Sequence, residues 1–322
     1  MTALHVSRTQ CTVIFVIFLG SLLCFSQLGL RGTITVQSQP NLREGWAVLL
    51  EMNDYPEPIT DLSTDFSDST KWNATLHSLG WQTHHIQFFH GFLDQYVGET
   101  ALQFLALNAD ANDVVLFFIF AHGNWIRDHM QWHLWFPTRW AGLQSQEKLL
   151  VVSACNSEEI IEPLASDSAP HIHLAAAQKD GGYAWAGLPE EGLPIIGEVF
   201  NHFFTNALVN ASADQDSNGE ICVEEAFTFA SPLSQEYITS VVFPAFPDYA
   251  DSCNDTAPQP VIDDGYPGNF SLEVEPGDPP MIPSMLSPAE IGVILVTIVT
   301  LVAVVALWLS IRQRRRAIQL PL

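Results

Sequence analysis

Two residues of this chain join a reactive side chain to a place where reactive side chains meet. His122 follows the apolar run 114–121 and precedes Gly123, and Cys155 follows the run 149–154 and precedes Asn156 and Ser157. A thiol becomes a nucleophile near neutral pH when a base takes its proton, and imidazole titrates in the range that suits this exchange. Gly123 bears on the same chemistry. Without a Cβ it lets a substrate carbonyl approach the backbone, and its N–H can form an oxyanion hole together with that of Cys155.

A second pattern lies at 214–225, where six constrained positions match a twelve-residue calcium loop. Asp214, Asp216 and Asn218 supply oxygens at positions 1, 3 and 5, Gly219 permits the turn, Glu220 offers its backbone carbonyl and Glu225 is the bidentate ligand at position 12. Cys222 at position 9 is too soft a ligand for calcium, so water is expected there. An acidic surface turn is the alternative, and a single loop of this kind points to a structural ion rather than a sensor.

These residues need elements to hold them. The runs 46–50, 85–89, 114–121, 149–154 and 171–177 predict strands, the longer ones apolar throughout and so buried on both faces. Segments 65–79, 100–107 and 158–165 have helical spacing between them. Such alternation predicts an α/β fold with a doubly wound parallel sheet. Ligands bind such sheets at the carboxyl ends of the strands, which is where His122 and Cys155 fall. Segment 125–140, with four tryptophans and two histidines in an irregular pattern, predicts a long loop above that edge, as a substrate wall or as a cover for the core. The amphipathic helix before the calcium loop, with Ile196, Phe200, Phe203, Phe204 and Leu208, is expected to pack on the sheet.

The element order, the strand-His122-Gly123 and, 33 residues on, the strand-Ala154-Cys155-Asn156-Ser157 resemble the caspase-like cysteine peptidases, and within them the legumain-like branch with its Ala-Cys-x-Ser motif. The likeness covers about 46–230, and 258–268 resembles the tail of prokaryotic members. The resemblance implies His122 as base, Cys155 as the nucleophile that forms a thioester, and Asn53, just after the first strand, as support for the histidine. The chain departs from the legumain pattern in having Glu158 where glycine is usual and no arginine in 61–65. The catalytic subunit of the GPI-anchor transamidase is similar in family and topology, so acyl transfer is one alternative to hydrolysis. A catalytically dead calcium-binding surface module is the other.

The ends of the chain are not globular in pattern. Residues 1–26, with Arg8 ahead of the apolar stretch 11–25, predict a signal peptide, or an anchor if uncleaved. Residues 291–311 carry no charge and match the roughly 30 Å of a bilayer core, and the tail 312–322 brings four arginines. The positive-inside rule then makes the tail cytoplasmic and the body extracellular or luminal in a single-pass membrane protein. The peptidase body is expected at 43–251, and the proline-rich stretch 252–290 as a stalk with no packed core.

All 36 acidic residues fall between Glu44 and Glu290, opposed at or beside that stretch by Arg43, Lys71, Arg127, Arg139, Lys148 and Lys179 alone. The exported part is therefore more negative than the whole-chain net of −24, which argues against nucleic acid as a partner; the peptidase resemblance implies protein or peptide substrates. Sequons at Asn73, Asn210, Asn254 and Asn269 are compatible with a glycoprotein. Of the cysteines outside the leader, a free Cys155 leaves Cys222 and Cys253 as the expected disulfide.

Overall fold

A computed structural model describes residues 42–165 and 168–275. Five parallel strands form the centre: β1 (Gly45–Met52), β2 (Ile86–Gly91), β3 (Val114–Phe120), β4 (Glu147–Ser153) and β5 (His171–Ala175). With the antiparallel β8 (Val261–Asp264) they make a six-stranded sheet in the order β2-β1-β3-β4-β5-β8. The short β6 (Ala186–Gly187) and β7 (Gly197–Glu198) pair separately.

Period-two alternation divides each central strand between two cores. In β3, Val115, Phe117 and Ile119 face one side, where α2 (Gln95–Asn108) and α3 (Trp132–Ala141) pack with Leu102, Leu105, Trp132 and Phe136. Val114, Leu116 and Phe118 face the other, against Trp72 and Leu76 of α1 (Ser67–Ser78), Phe200 and Phe204 of α5 (Val199–Ala207), and Ala226 of α6 (Val223–Tyr237). The short α4 (Glu158–Ile161) follows β4. Helices on both faces of a mostly parallel sheet are the expected doubly wound arrangement, with β8 an antiparallel addition.

Two expectations are corrected. Segment 125–140 is not a loop: after a wide turn at Trp125–His129 it forms α3, whose Trp132, Trp135, Phe136 and Trp140 are buried. Indole rings there fill core rather than wall a substrate site, for they are too large and apolar to be left in water. The packed body also passes Asp251. β8 pairs with β5, and Phe270 and Leu272 are buried, so the stalk reading fails for residues 252–275. Trp81 Nε1 donates to Leu272 O (2.7 Å) and Val274 N to Leu79 O (3.0 Å). Arg43 ties the two ends together, through Glu147 at the start of β4 (2.6 Å), Ser271 O (2.5 Å) and Glu273 O.

The predicted leader 1–26, the rest of the stalk, the span 291–311 and the tail 312–322 lie outside the described residues. Among the described residues no helix is long and apolar enough to cross a membrane.

Candidate active site

Strand register brings the two reactive residues level. Phe120 of β3 pairs with Ser153 of β4, and His122 and Cys155 each stand two residues beyond that pair. The backbones then touch, because a Cβ added at Gly123 would overlap the carbonyl oxygen of Cys155. Only glycine fits there. A cleft of about 550 Å³ opens at this edge, lined by His122 and Thr60 on one side, Cys155 and Ala184 on the other, and Ser153 and Glu198 among its inner residues.

His122 is held from three directions. Its backbone N–H donates to Tyr55 Oη (2.8 Å), its ring lies 4.7 Å from the Tyr55 ring, and Nε2 sits 2.9 Å from Thr60 O. A carbonyl only accepts, so in the neutral ring the proton sits on Nε2 and the lone pair on Nδ1. Tyr55 is buried, which raises its hydroxyl pKa, and its N–H donates to Asp61 Oδ1 (2.8 Å). Asn53 does not meet the imidazole. Its side-chain amide N–H groups donate to Leu62 O (2.5 Å) and Thr64 Oγ1 (3.2 Å), and its backbone carbonyl accepts from Leu62 N (3.2 Å). It folds the loop after β1 that carries Thr60, and reaches the histidine only through that loop.

The Cys155 thiol donates to Ala184 O (3.7 Å), and burial, with the carboxyl of Glu198 nearby, pushes it up to about 11. The group is therefore a thiol at neutral pH. The turn that carries it is fixed on the loop after β5. Asn156, in the left-handed region at φ 51°, donates its N–H to Gly182 O (2.6 Å) and accepts from Gly181 N (3.1 Å). The buried Ser157 exchanges hydrogen bonds with Ala177 (3.0 and 3.2 Å), and Glu158 accepts from Lys179 N (2.8 Å). Glu158, unusual against the legumain pattern, thus anchors this loop. Among the described residues no hydrogen bond joins thiol to imidazole; each rests on a carbonyl of its own wall, with the cleft between them.

Three buried carboxyls lie beneath and beside the cleft. Glu51 accepts from Thr64 Oγ1 (2.6 Å) and Ser69 N (2.8 Å). Asp68 accepts from Glu198 N (3.0 Å) and Asn201 Nδ2 (2.6 Å), with Lys71 Nζ 3.9 Å away. Glu198 caps α5, taking Phe200 N (2.9 Å) and Asn201 N (2.7 Å), and also accepts from Ser153 Oγ (3.3 Å). Burial raises Asp68 and lifts Glu198 to about 8.

Among the described residues, two groups of side chains have donors close enough for a metal ion. In the first, Asp263 Oδ2 lies 3.0 Å from His173 Nδ1 and 3.4 Å from His171 Nε2. Trp140 Nε1–H, a donor only, points at His173 Nε2 (3.0 Å), which puts the histidine's proton on Nδ1 facing Asp263. That set is a hydrogen-bonded tie between β5 and β8, and its chemistry does not suit a cation. In the second, oxygens of Asp214, Asp216 and Glu225 converge within 4.8 Å, with Gly219 at φ 91°. Hard oxygen donors around a turn of this kind fit calcium.

The expected Cys222–Cys253 disulfide is not formed: Cys155, Cys222 and Cys253 are all free thiols. Cys222 instead caps α6, its sulfur accepting from Glu225 N (3.4 Å), while the Cys253 thiol lies against the Tyr249 side chain.

Sequence reasoning missed Tyr55, Thr60, Ala184 and Glu198. The first three act through a hydroxyl or backbone carbonyls that have no motif. Glu198 had a signal, an acidic residue directly before the first apolar position of an amphipathic helix.

No protein-family model matches the sequence, and no curated protein matches it. Among solved structures the chain is similar to caspase-1 from Spodoptera frugiperda, with a TM-score of 0.47 and 13% identity over 74% of this chain and 92% of that one.

Proposed function

We propose that this chain is a cysteine endopeptidase of caspase-like fold, with Cys155 as nucleophile and His122 as base and acid. The observation that carries the reading is the level placement of the two side chains across one cleft, with Gly123 against the Cys155 backbone. A substrate carbonyl entering between the walls meets the sulfur. The S–H proton passes to His122 Nδ1 as the S–C bond forms, since a thiol raised by burial needs its base at the moment of attack. The N–H of Gly123, which opens a helical turn and so has no acceptor inside it, and that of Cys155 take the oxyanion. The imidazolium then gives its proton to the departing amine, leaving a thioester. Water, deprotonated by the same nitrogen, attacks the thioester carbonyl; the C–S bond breaks to release the acid, and the imidazolium returns its proton to the Cys155 sulfur. Thr60 O holds the Nε2 proton throughout and so keeps Nδ1 on the reacting side.

The test is turnover of a peptide pool by the full chain and by Cys155→Ala, with Cys155 labelled by an alkylating peptide probe. Equal cleavage by both proteins would sink the reading. Products that carry an added amine, in place of free acids, would turn it toward acyl transfer.

The proposal extends to setting and ion. The apolar run 291–311 and its arginines support a membrane-held peptidase facing outward or into a lumen, acting on protein or peptide substrates. Protease added outside intact cells should remove the body and spare an epitope after Arg316; the reverse pattern would refute this topology. Asp214, Asp216, Asn218, Glu225 and the Glu220 carbonyl would hold a structural calcium ion, which would supply charge to bind the loop together. A binding isotherm without calcium uptake would remove it.

A further inference from the structure

On the peptidase reading above, the residue preceding the scissile bond would place its side chain in the cleft beside Cys155, and the charge of that cleft is one-sided. Its lining includes Asp61, Glu191 and Glu198, and no lysine or arginine; His122 is the one titratable nitrogen base among the lining residues. We infer that this subsite selects substrates with a basic side chain, arginine above lysine, on the residue whose carbonyl is attacked, and that Glu198 is the residue that sets the selection. The inference rests on the peptidase reading above and deepens it.

Four observations support it. Glu198 is 3% exposed and still lines the cleft, so a ligand group that reaches it is removed from water, where charge complementarity counts most. An acidic side chain entering there would meet the carboxylates of Asp61 and Glu191 and no lysine or arginine, a like-charge arrangement that disfavours it. The helix cap does not exhaust Glu198. Each carboxylate oxygen has a second lone-pair site, and the bonds from Phe200 N, Asn201 N and Ser153 Oγ leave room for a further donor. Tyr183, Trp185 and Tyr249 line the same cleft, giving an apolar and aromatic path for the methylene stem and a face for a planar guanidinium. The groups that face Glu198 are Asp68 of α1, Ser153 of β4, Cys155 and Tyr249, with Lys71 engaged at Asp68. Burial holds the proton on Glu198 in the empty cleft, and an incoming guanidinium displaces it to solvent.

The experiment uses the purified full chain and fluorogenic tetrapeptides that differ only at the residue before the scissile amide: arginine, lysine, citrulline, glutamine, asparagine or aspartate. Citrulline has the shape of arginine without its charge, so kcat/KM for arginine should exceed that for citrulline by roughly 10²-fold, the scale of one hydrogen bond to a charged group. In Glu198→Gln that ratio should collapse toward one. A merely structural cap would lower both substrates alike and keep the ratio. A second measurement needs no variant: agmatine should protect Cys155 of the unaltered protein from iodoacetamide, and butylurea should not. Turnover of aspartate, asparagine or citrulline peptides at or above that of arginine, or an unchanged ratio in Glu198→Gln, would overturn the inference and leave the peptidase standing. Should no peptide be cleaved faster by the native chain than by Cys155→Ala, the peptidase reading falls and this subsite with it.

Discussion

The cleft and the loop 214–225 are built in opposite ways. The cleft draws on Tyr55, Thr60, His122, Cys155, Ala184 and Glu198, which come from both halves of the body and meet only because strands β3 and β4 run in register. The loop holds every candidate ligand within twelve consecutive residues, its backbone amides already turned onto Asp214, Asp216 and Glu225. A site assembled across the fold depends on the fold and contributes little to it. A site contained in one turn can lend stability to the helices at its two ends. Changes in the cleft should therefore be read in turnover, and changes in the loop in melting temperature.

The sharpest contrast is expected at Cys155. Cys155→Ala should abolish peptide cleavage while shifting the melting temperature little, because alanine fits the same turn. His122→Ala should cost roughly 10²- to 10⁴-fold in kcat. If either variant unfolds, the cleft is a structural element after all. Gly123→Ala comes next. Its Cβ would force the two strand-end backbones apart, so kcat should fall by roughly 10²- to 10³-fold, the scale of a lost oxyanion donor. Normal turnover in a folded Gly123→Ala protein would remove this amide from the mechanism.

Glu225→Gln tests the other region. With calcium at about a hundred times its dissociation constant, the bound ion should add about 2.7 kcal/mol to stability, and that gain should be largely lost in the variant, as followed by thermal melts with calcium or chelator. kcat at saturating calcium should stay close to that of the native chain. A parallel loss of turnover would mean that the two regions are coupled. Tyr55→Phe removes the acceptor of the His122 N–H and should cost about 1 kcal/mol in thermal or denaturant melts, the net worth of a part-buried hydrogen bond.

The smallest effect is in pH dependence. Glu198, lifted by burial to about 8, and Asp68, raised by burial, bind protons in the folded chain that the unfolded chain has released, so their contribution is present below about 4.5 and lost as pH rises toward 8. His85 and His202, lowered by burial to about 4, act in the opposite sense but only up to their ordinary value of 6.5. Between pH 6.5 and 8 the melting temperature should therefore decline, and Glu198→Gln should flatten the decline. A rise over that interval in the native chain would contradict the protonated state of Glu198.

The parts that sequence made legible were those carried by local pattern. Apolar runs long enough to be buried on both faces marked β3 and β4, and the position of His122 and Cys155 at their ends followed. The calcium pattern is local by nature. Helix α3 was hidden because Pro137 and aromatic residues around its circumference mask the helical period, and its rings pack on both Phe117 and one another. In 252–275 the prolines drew attention away from Phe270, Leu272 and Val274, whose alternation is the signature of an extended segment with one buried side. Thr60 and Ala184 could not be found from sequence at all, since a carbonyl oxygen is the same in every residue type. Glu198 lay in view as a cap, but its place beside Cys155 depends on β7 folding back under the cleft.

The clasp that Arg43 makes with Ser271 and Glu273 sets the direction in which this molecule works. It gathers the entry and exit of the body at the edge where β1 and β4 begin, while the reactive side chains stand where β3 and β4 end. Seven residues of strand at about 3.3 Å each put roughly 20 Å between those edges. The described body is therefore entered and left at its back, and the mouth of the cleft opens on the opposite edge of the sheet, clear of both ends.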